Sequence, residues 1–206
     1  MDYIRFIDVK QNSIKKFADF RSSEIRYAAL SYVWGSYPAI KLKIDNVEQL
    51  QQPGFLGTLQ LPQTITGASE LASMLGIDYL WVDALCIIQD DDEDKKYQIS
   101  KMGSIYNSAF LTIVAASEND SDASLPGLQP DTRFFNQEEI VVLPPSEQNE
   151  GISLMTTINT QATNRGEFFI DALEDIDQSK WNNRAWTMQE RVLSRRNIIF
   201  TKEQVL

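Results

Sequence analysis

The stretch Tyr79–Gln89, YLWVDALCIIQ, constrains this chain more than any other, because it is nearly all apolar yet holds one carboxylate, Asp83, at its centre. A run of this kind reads as a strand buried on both faces, as in a parallel sheet covered by helices. It closes on the polar turn Gln89-Asp90-Asp91-Asp92. A carboxylate inside such a strand is costly, and desolvation raises its pKa unless donors satisfy it. Asp83 is therefore either a structural acceptor of backbone or indole N–H groups or part of a site.

The flanking segments extend the pattern. YAALSYVWGS, residues 27–36, is an apolar strand that runs out at Trp34-Gly35-Ser36. A glycine there allows a sharp exit and close approach of a ligand, although a Trp-Gly pair also suits a packed turn. LPQTITGASELASMLGI shifts to a helical period, with Pro62 at the first helical position, Ile65, Ala68, Leu71 or Ala72, and Leu75 on one face, and Gly76 as the stop. After the Tyr79–Gln89 run, Asp90 with Glu93 resembles a capping box, and Ile99, Met102, Tyr106 and Ala109 give the next helix a buried face. AFLTIVAAS then reads as a third buried strand. The pattern predicts strands over 28–33, 79–87 and 110–116 and helices over 63–75 and 93–108. Strand, helix, strand, helix, strand makes right-handed crossovers, so the three strands are expected to be parallel neighbours. Ligands bind beyond the carboxyl ends of such strands, here Trp34–Ser36, Cys86–Asp91 and Ser117–Asp120.

The remaining segments frame this core. YIRFIDV reads as a short strand followed by a polar edge segment, and IKLKID as an exposed strand in a hairpin or loop over residues 39–60. EEIVVL and ISLMTT form an antiparallel hairpin, and TNRGEFFIDALEDIDQSK has acidic, partly helical character. WNNRAWTMQERVLSRRNIIF predicts an amphipathic helix and a short strand, with Trp181, Ala185, Met188 and Val192 as one stripe and Trp186 and Leu193 widening it. Within that helix Glu190 has Trp186, Thr187, Leu193 and Ser194 as neighbours, so no basic residue lies at pairing distance. Its partner must come from another element, either an arginine or a bound ligand.

Composition removes whole classes of chemistry. With no histidine, there is no Ser-His-Asp triad, no Cys-His dyad and no histidine-ligated metal, so any acid or base is a carboxylate, lysine, tyrosine or the single thiol. Cys86 excludes an intrachain disulfide and suits a reducing compartment, and no metal site is expected. A buried thiol without a histidine partner is inert, so Cys86 reads as packing. The formal net charge of -10 opposes nucleic-acid and anionic membrane partners. No signal peptide or stretch of membrane-spanning length is present. At 206 residues and 43% hydrophobic content, the chain is expected to be one domain with its own core.

Three blocks, YAALSYVWGS, LPQTI with LGIDYLWVDALCIIQDD and QISKMGSIYNSAFLTIVAAS, and RAWTMQERVLSRRNIIF, resemble the fungal heterokaryon incompatibility (HET) domain in order and over nearly the whole chain. Ile88, Ala185 and Met188 depart from residues frequent in that family, which are Asn, Gly and Leu. Proteins of the family continue beyond the point where this chain stops at TKEQVL, so the resemblance implies a single domain over 1–206 excised from a longer protein. It further implies an α/β fold with a central, mostly parallel sheet flanked by helices, a TIR-like or flavodoxin-like core with an added β-hairpin and a C-terminal helix-strand. The implied role is that of a cytoplasmic effector of nonself recognition that triggers cell death by self-association, under a sensor domain or an allelic partner protein. TIR domains act as assembly adaptors or cleave NAD with a glutamate, so the alternative is a glycohydrolase, with no cofactor and with NAD as substrate. On that reading Glu190 is the reactive carboxylate and Asp83 its organiser. Trp34 stacks a base, Ser31 and Ser36 bind hydroxyls, and Gly35, Gln89 and Arg191 complete the ligand-binding set.

Overall fold

A computed structural model of the chain describes residues 3–18, 25–117, 121–129, 132, 139–143, 152–155, 176–184, 187–201 and 205–206. The first strands, β1 (Ile4–Asp8) and β2 (Ser13–Phe17), pair antiparallel through a tight turn. β3 (Tyr27–Ser31), β4 (Tyr79–Trp81), β5 (Leu111–Ala115) and a late strand, Asn197–Phe200, are mutually parallel in the order β4-β3-β5-late strand. β1 lies antiparallel against β4, so the six-stranded sheet is α/β and mostly parallel, as expected. The hairpin strands β6 (Glu139–Leu143) and β7 (Ile152–Met155) pair antiparallel in a separate two-stranded sheet, and the late strand is therefore β8.

Two helices cover opposite faces because alternate residues of β3 point opposite ways. Ala28 and Leu30 join Ile65, Ala68 and Ala72 of α2 (Gln63–Met74). Tyr27 and Ala29 join Met102, Ile105 and Tyr106 of the helix Asp92–Ser108. Both helices fall where the sequence places them. Pro62 serves as N-cap rather than first helical residue, and Leu75 is exposed.

The organising stretch differs from expectation. Only Tyr79–Trp81 is strand. Val82 is still extended, and Asp83–Cys86 then forms one helical turn, α3, which makes Asp92–Ser108 α4. The turn closes through the Cys86 N–H to Val82 O at 2.7 Å, and the Asp83 carboxylate at its start is held both locally, by the Ala84 N–H at 2.7 Å on Oδ1, and from 49 residues away by the Trp34 indole. Asp83 therefore sits at the carboxyl end of β4 rather than inside it. Helix α4 is capped by Asp91, which accepts from the N–H groups of Glu93 and Asp94, while Asp90 accepts from Ile44 N instead of making the expected capping box. Residues 40–43 are not a strand. Leu42 donates to Ala84 O and accepts from Gln89 N, so this segment is used to brace α3, followed by α1 (Val47–Leu50) and a 3-10 turn (Phe55–Thr58).

At the C-terminal end the helix is shorter than its hydrophobic stripe suggests. Helix α5 spans Thr187–Leu193, Trp181 lies in the preceding turn, and Val192 is exposed. Thr187 Oγ1 donates to Trp181 O at 2.6 Å and fixes that turn to the helix start. Expectations for Ala185, Trp186, the Met188 side chain and residues 156–175 fall outside the described residues. Helix α5 packs on α4, where a Cβ on Gly103 would come within 3.1 Å of Leu193 Cδ1, so the bare backbone of Gly103 sets their approach. At the rims of the sheet, β2 carries Lys15 and Lys16, and residues 205–206 return along β8, with Leu206 exchanging two hydrogen bonds with Ile199 at 2.8 and 3.0 Å.

Candidate functional site

A cleft of about 410 Å³ opens at the carboxyl ends of β3 and β4. Val33, Trp34 and Gly35 after β3 form one part of its lining, Asp83, Ile87 and Gln89 another, Lys95, Ile99 and Met102 of α4 a third, and Arg184 and Glu190 complete it. Its size is that of a small-molecule site. Gly35 has φ +63, a left-handed conformation that turns the chain sharply away from the strand end and leaves Trp34 beside the opening.

The two carboxylates are held by different chemistry. Trp34 donates its indole N–H to Asp83 Oδ1 at 3.0 Å and Oδ2 at 2.9 Å, so both described side-chain and backbone donors to Asp83, Trp34 Nε1 and Ala84 N, are neutral. Low-dielectric surroundings raise the Asp83 pKa to about 6, with the nearby Glu190 charge adding to the rise, against hydrogen bonds from Trp34 and Ala84 and the Arg184 charge that lower it. Part of the Asp83 surface nonetheless remains open to the cleft. Glu190, 3% exposed, has a cationic partner in Arg184, whose Nη2 lies 2.7 Å from Oε2. The same oxygen accepts from Ser31 Oγ, and Ser31 in turn accepts from Trp181 Nε1 at 2.6 Å. The cleft thus brings the two carboxylates together, but with the depth order reversed: Glu190 is the more deeply held and Asp83 the more open.

The other expected residues divide. Trp34, Gly35 and Gln89 line the cleft. Gln89 uses its side-chain amide to donate to Asp83 O at 3.0 Å and Ile87 O at 2.9 Å, which closes the α3 turn. Ser31 is buried behind Glu190 and touches the cleft only through it. Ser36 is exposed and outside the lining. Arg191 is one position from Glu190 on α5, a rotation of roughly 100° for 3.6 residues per turn, and it faces the surface, 3.5 Å from Asp177. Of the third strand end expected to converge there, Ser117 is buried outside the lining, and 118–120 fall outside the described residues. The turn holding Arg184 and helix α5 add to the lining.

Lys95, Ile99, Met102 and Arg184 were not assigned to a site by the sequence. Ile99 was expected in the core and is 38% exposed, at the cleft wall. Lys95 reads as one charge in the acidic run DDDEDKK, and no local signal separates it from a solvated surface residue. The wall they form is anchored from below by Asp94, whose side chain is 2% exposed. Asp94 accepts from Arg5 Nη1 at 3.0 and 2.9 Å and from the Ile88 N–H at 2.8 Å, so strand β1 is tied to the segment that carries Ile87 and Gln89. Among the described residues no group of three or more acidic or thiol side chains is placed to hold a metal, and no helix is long and apolar enough to cross a membrane.

Fold and site together define an α/β domain with a carboxylate-lined cleft over its parallel strand ends. Residues 27–190 match the heterokaryon incompatibility protein (HET) family, and the chain belongs to that family. Over 98 residues it is 32% identical to heterokaryon incompatibility protein 6, OR allele, of Neurospora crassa, in an alignment that covers 43% of this chain and 14% of that protein. The matched part is thus a small fraction of that relative's length. No solved structure matches the chain significantly.

Proposed function

We propose that this domain is an effector in fungal heterokaryon incompatibility, acting in the cytoplasm and triggering death of fused cells through self-association under a sensor domain or an allelic partner protein. The observation that carries this reading is that the family match runs from Tyr27, the first residue of β3, to Glu190, and so contains every side chain that lines the cleft. The test is a fungal cell-death assay of the parent and Glu190→Gln, run beside a thermal melt. Loss of killing in a variant that still folds, its stability lowered by no more than about one charge-assisted hydrogen bond, supports the reading, and undiminished killing removes the cleft from the output.

A second reading is favoured by the unlike environments of the two carboxylates: the cleft cleaves the nicotinamide–ribose bond of NAD. The C1′–N bond breaks with its electron pair moving to the ring nitrogen, which neutralises the leaving nicotinamide. A carboxylate stabilises the oxocarbenium-like centre, and water adds at C1′ with its proton passing to a base. Glu190, fixed by Arg184 and Ser31, suits the stabilising role, and Asp83, with its pKa raised to about 6, suits the base. Nicotinamide release from NAD by the purified chain at high concentration, with Glu190→Gln and Asp83→Asn as controls, tests it.

A further inference from the structure

The charges in the cleft do not pair off evenly, and the imbalance has a direction. Glu190 is matched by Arg184 at 2.7 Å. Asp83 receives only neutral described donors, the Trp34 indole and the Ala84 amide, although it lines the same low-dielectric cavity. A carboxylate in that position leaves room for an external cation to supply the missing counter-charge. The adjoining Trp34 ring attracts cations, and one, the Lys41 ammonium, already lies 4.3 Å from its centre, so a ligand cation there must displace Lys41 or share the ring with it. On α4 the position is opposite. Lys95 lines the cleft, and its ion pair is with Asp92 at 3.3 Å, a side chain that is 99% exposed. A solvated pair of this kind is weak, so the ammonium is readily turned to an anion inside the cleft. Between the two charges the lining is apolar, from Ile87, Ile99 and Met102.

We infer that the cleft takes a small zwitterionic ligand, with a cationic, preferably planar group at Asp83 and Trp34 and a separate anionic group at Lys95. This rests on the cleft being a ligand site and deepens the second reading, because it states which charges of a ligand are recognised and by which residues. A pyridinium ring joined to a phosphate has this chemistry. An amphiphile with one charge does not.

Three probes separate the two ends: nicotinamide mononucleotide, its phosphate-free riboside, and its reduced form, in which the ring is neutral. Calorimetric titration of the parent is expected to show the mononucleotide binding about tenfold more tightly than either of the others. Lys95→Met should equalise mononucleotide and riboside while keeping the preference for the oxidised ring. Asp83→Asn should do the reverse, keeping the preference for phosphate. Equal binding of all three probes, abolished by Glu190→Gln, would overturn the charge assignment and leave a cleft that takes ligands. Failure of all three to bind would also overturn it, and if Glu190→Gln then still killed cells, the ligand-site reading would fall separately.

Discussion

Ser31 and Glu190, 159 residues apart in the chain, meet in a hydrogen bond behind the cleft, and Trp181 donates to the same serine. The end of β3 is thereby tied to helix α5 by polar contacts rather than by apolar packing alone. Buried polar networks of this sort fix geometry when every member is satisfied.

Glu190→Gln tests how much of this network is structure. The amide keeps the shape and an acceptor oxygen, and Arg184, whose side chain is 24% exposed, can rehydrate. The expected loss of stability is about 1–3 kcal/mol, the size of one charge-assisted hydrogen bond, with loss of killing that is complete. A melt that collapses would assign Glu190 to the scaffold instead.

Asp83 makes a pH prediction with a definite sign. Its folded pKa is about 6 against an ordinary 3.8, so between these values the folded protein binds more protons than the unfolded chain. Stability therefore falls as pH rises through that window, by on the order of 3 kcal/mol at most, and the contribution is fully present only below the lower value. The melting temperature of the parent relative to Asp83→Asn should drop between pH 4 and pH 6.5, approximately the window set by those pKa values. Parallel melting curves across that range would show that Asp83 titrates normally.

Cys86 is fully buried, and its thiol pKa is pushed up to about 12 by burial. A bulky thiol reagent should not label the native protein, and Cys86→Ala should be mild. Trp81→Ala at the neighbouring strand end should cost about 3–5 kcal/mol. Trp81 packs edge-on against Tyr106 with ring centres 5.5 Å apart, and its indole nitrogen has no partner among the described residues. Trp81→Phe should therefore cost less than half as much as the alanine, as read from chemical denaturation.

Arg5 and Asp94 form an ion pair with side chains 4% and 2% exposed. Arg5→Ala leaves Asp94 buried without its cation and should destabilise by about 3–5 kcal/mol. Arg5→Met with Asp94→Leu removes both charges and should recover part of that loss in the same melt. A double variant worse than Arg5→Ala would mean that the hydrogen bonds Asp94 accepts from the Ile88 N–H and the Tyr3 hydroxyl outweigh the ion pair.

The layers of the fold were legible because apolar periodicity is a local property: β3, β5, α2 and α4 each bury a face that their own residues specify. The end of β4 was not, since VDALCII suits a strand and a helical turn equally by hydropathy. The decision came from where the Asp83 carboxylate finds its donors, and one of those, Trp34, is 49 residues away. Asp83 and Glu190 stood out in sequence because each is a carboxylate among apolar neighbours. The sequence asks for an arginine or a ligand beside Glu190, and Arg184 supplies the arginine. Lys95 carried no such signal, since a cation is unremarkable in a charged segment until the fold shows what it faces. The end of the C-terminal helix stripe was misread for a similar reason, as Trp181 reaches the core from a turn and meets Ser31, not a helical neighbour.

The two rims of the sheet are closed to further strands in different ways. On β2, Lys15 and Lys16 would carry charge into any added ladder. On β8, the backbone groups of Ile199 are already taken by Leu206 of the same chain. Exposed strand edges are the usual route by which sheet proteins polymerise, and lysines or a covering segment are the usual obstacles. A chain that extended this sheet edge to edge would have to displace residues 205–206 from β8 or lay its strand against the lysines of β2, so any contact between copies is expected at helices and loops instead.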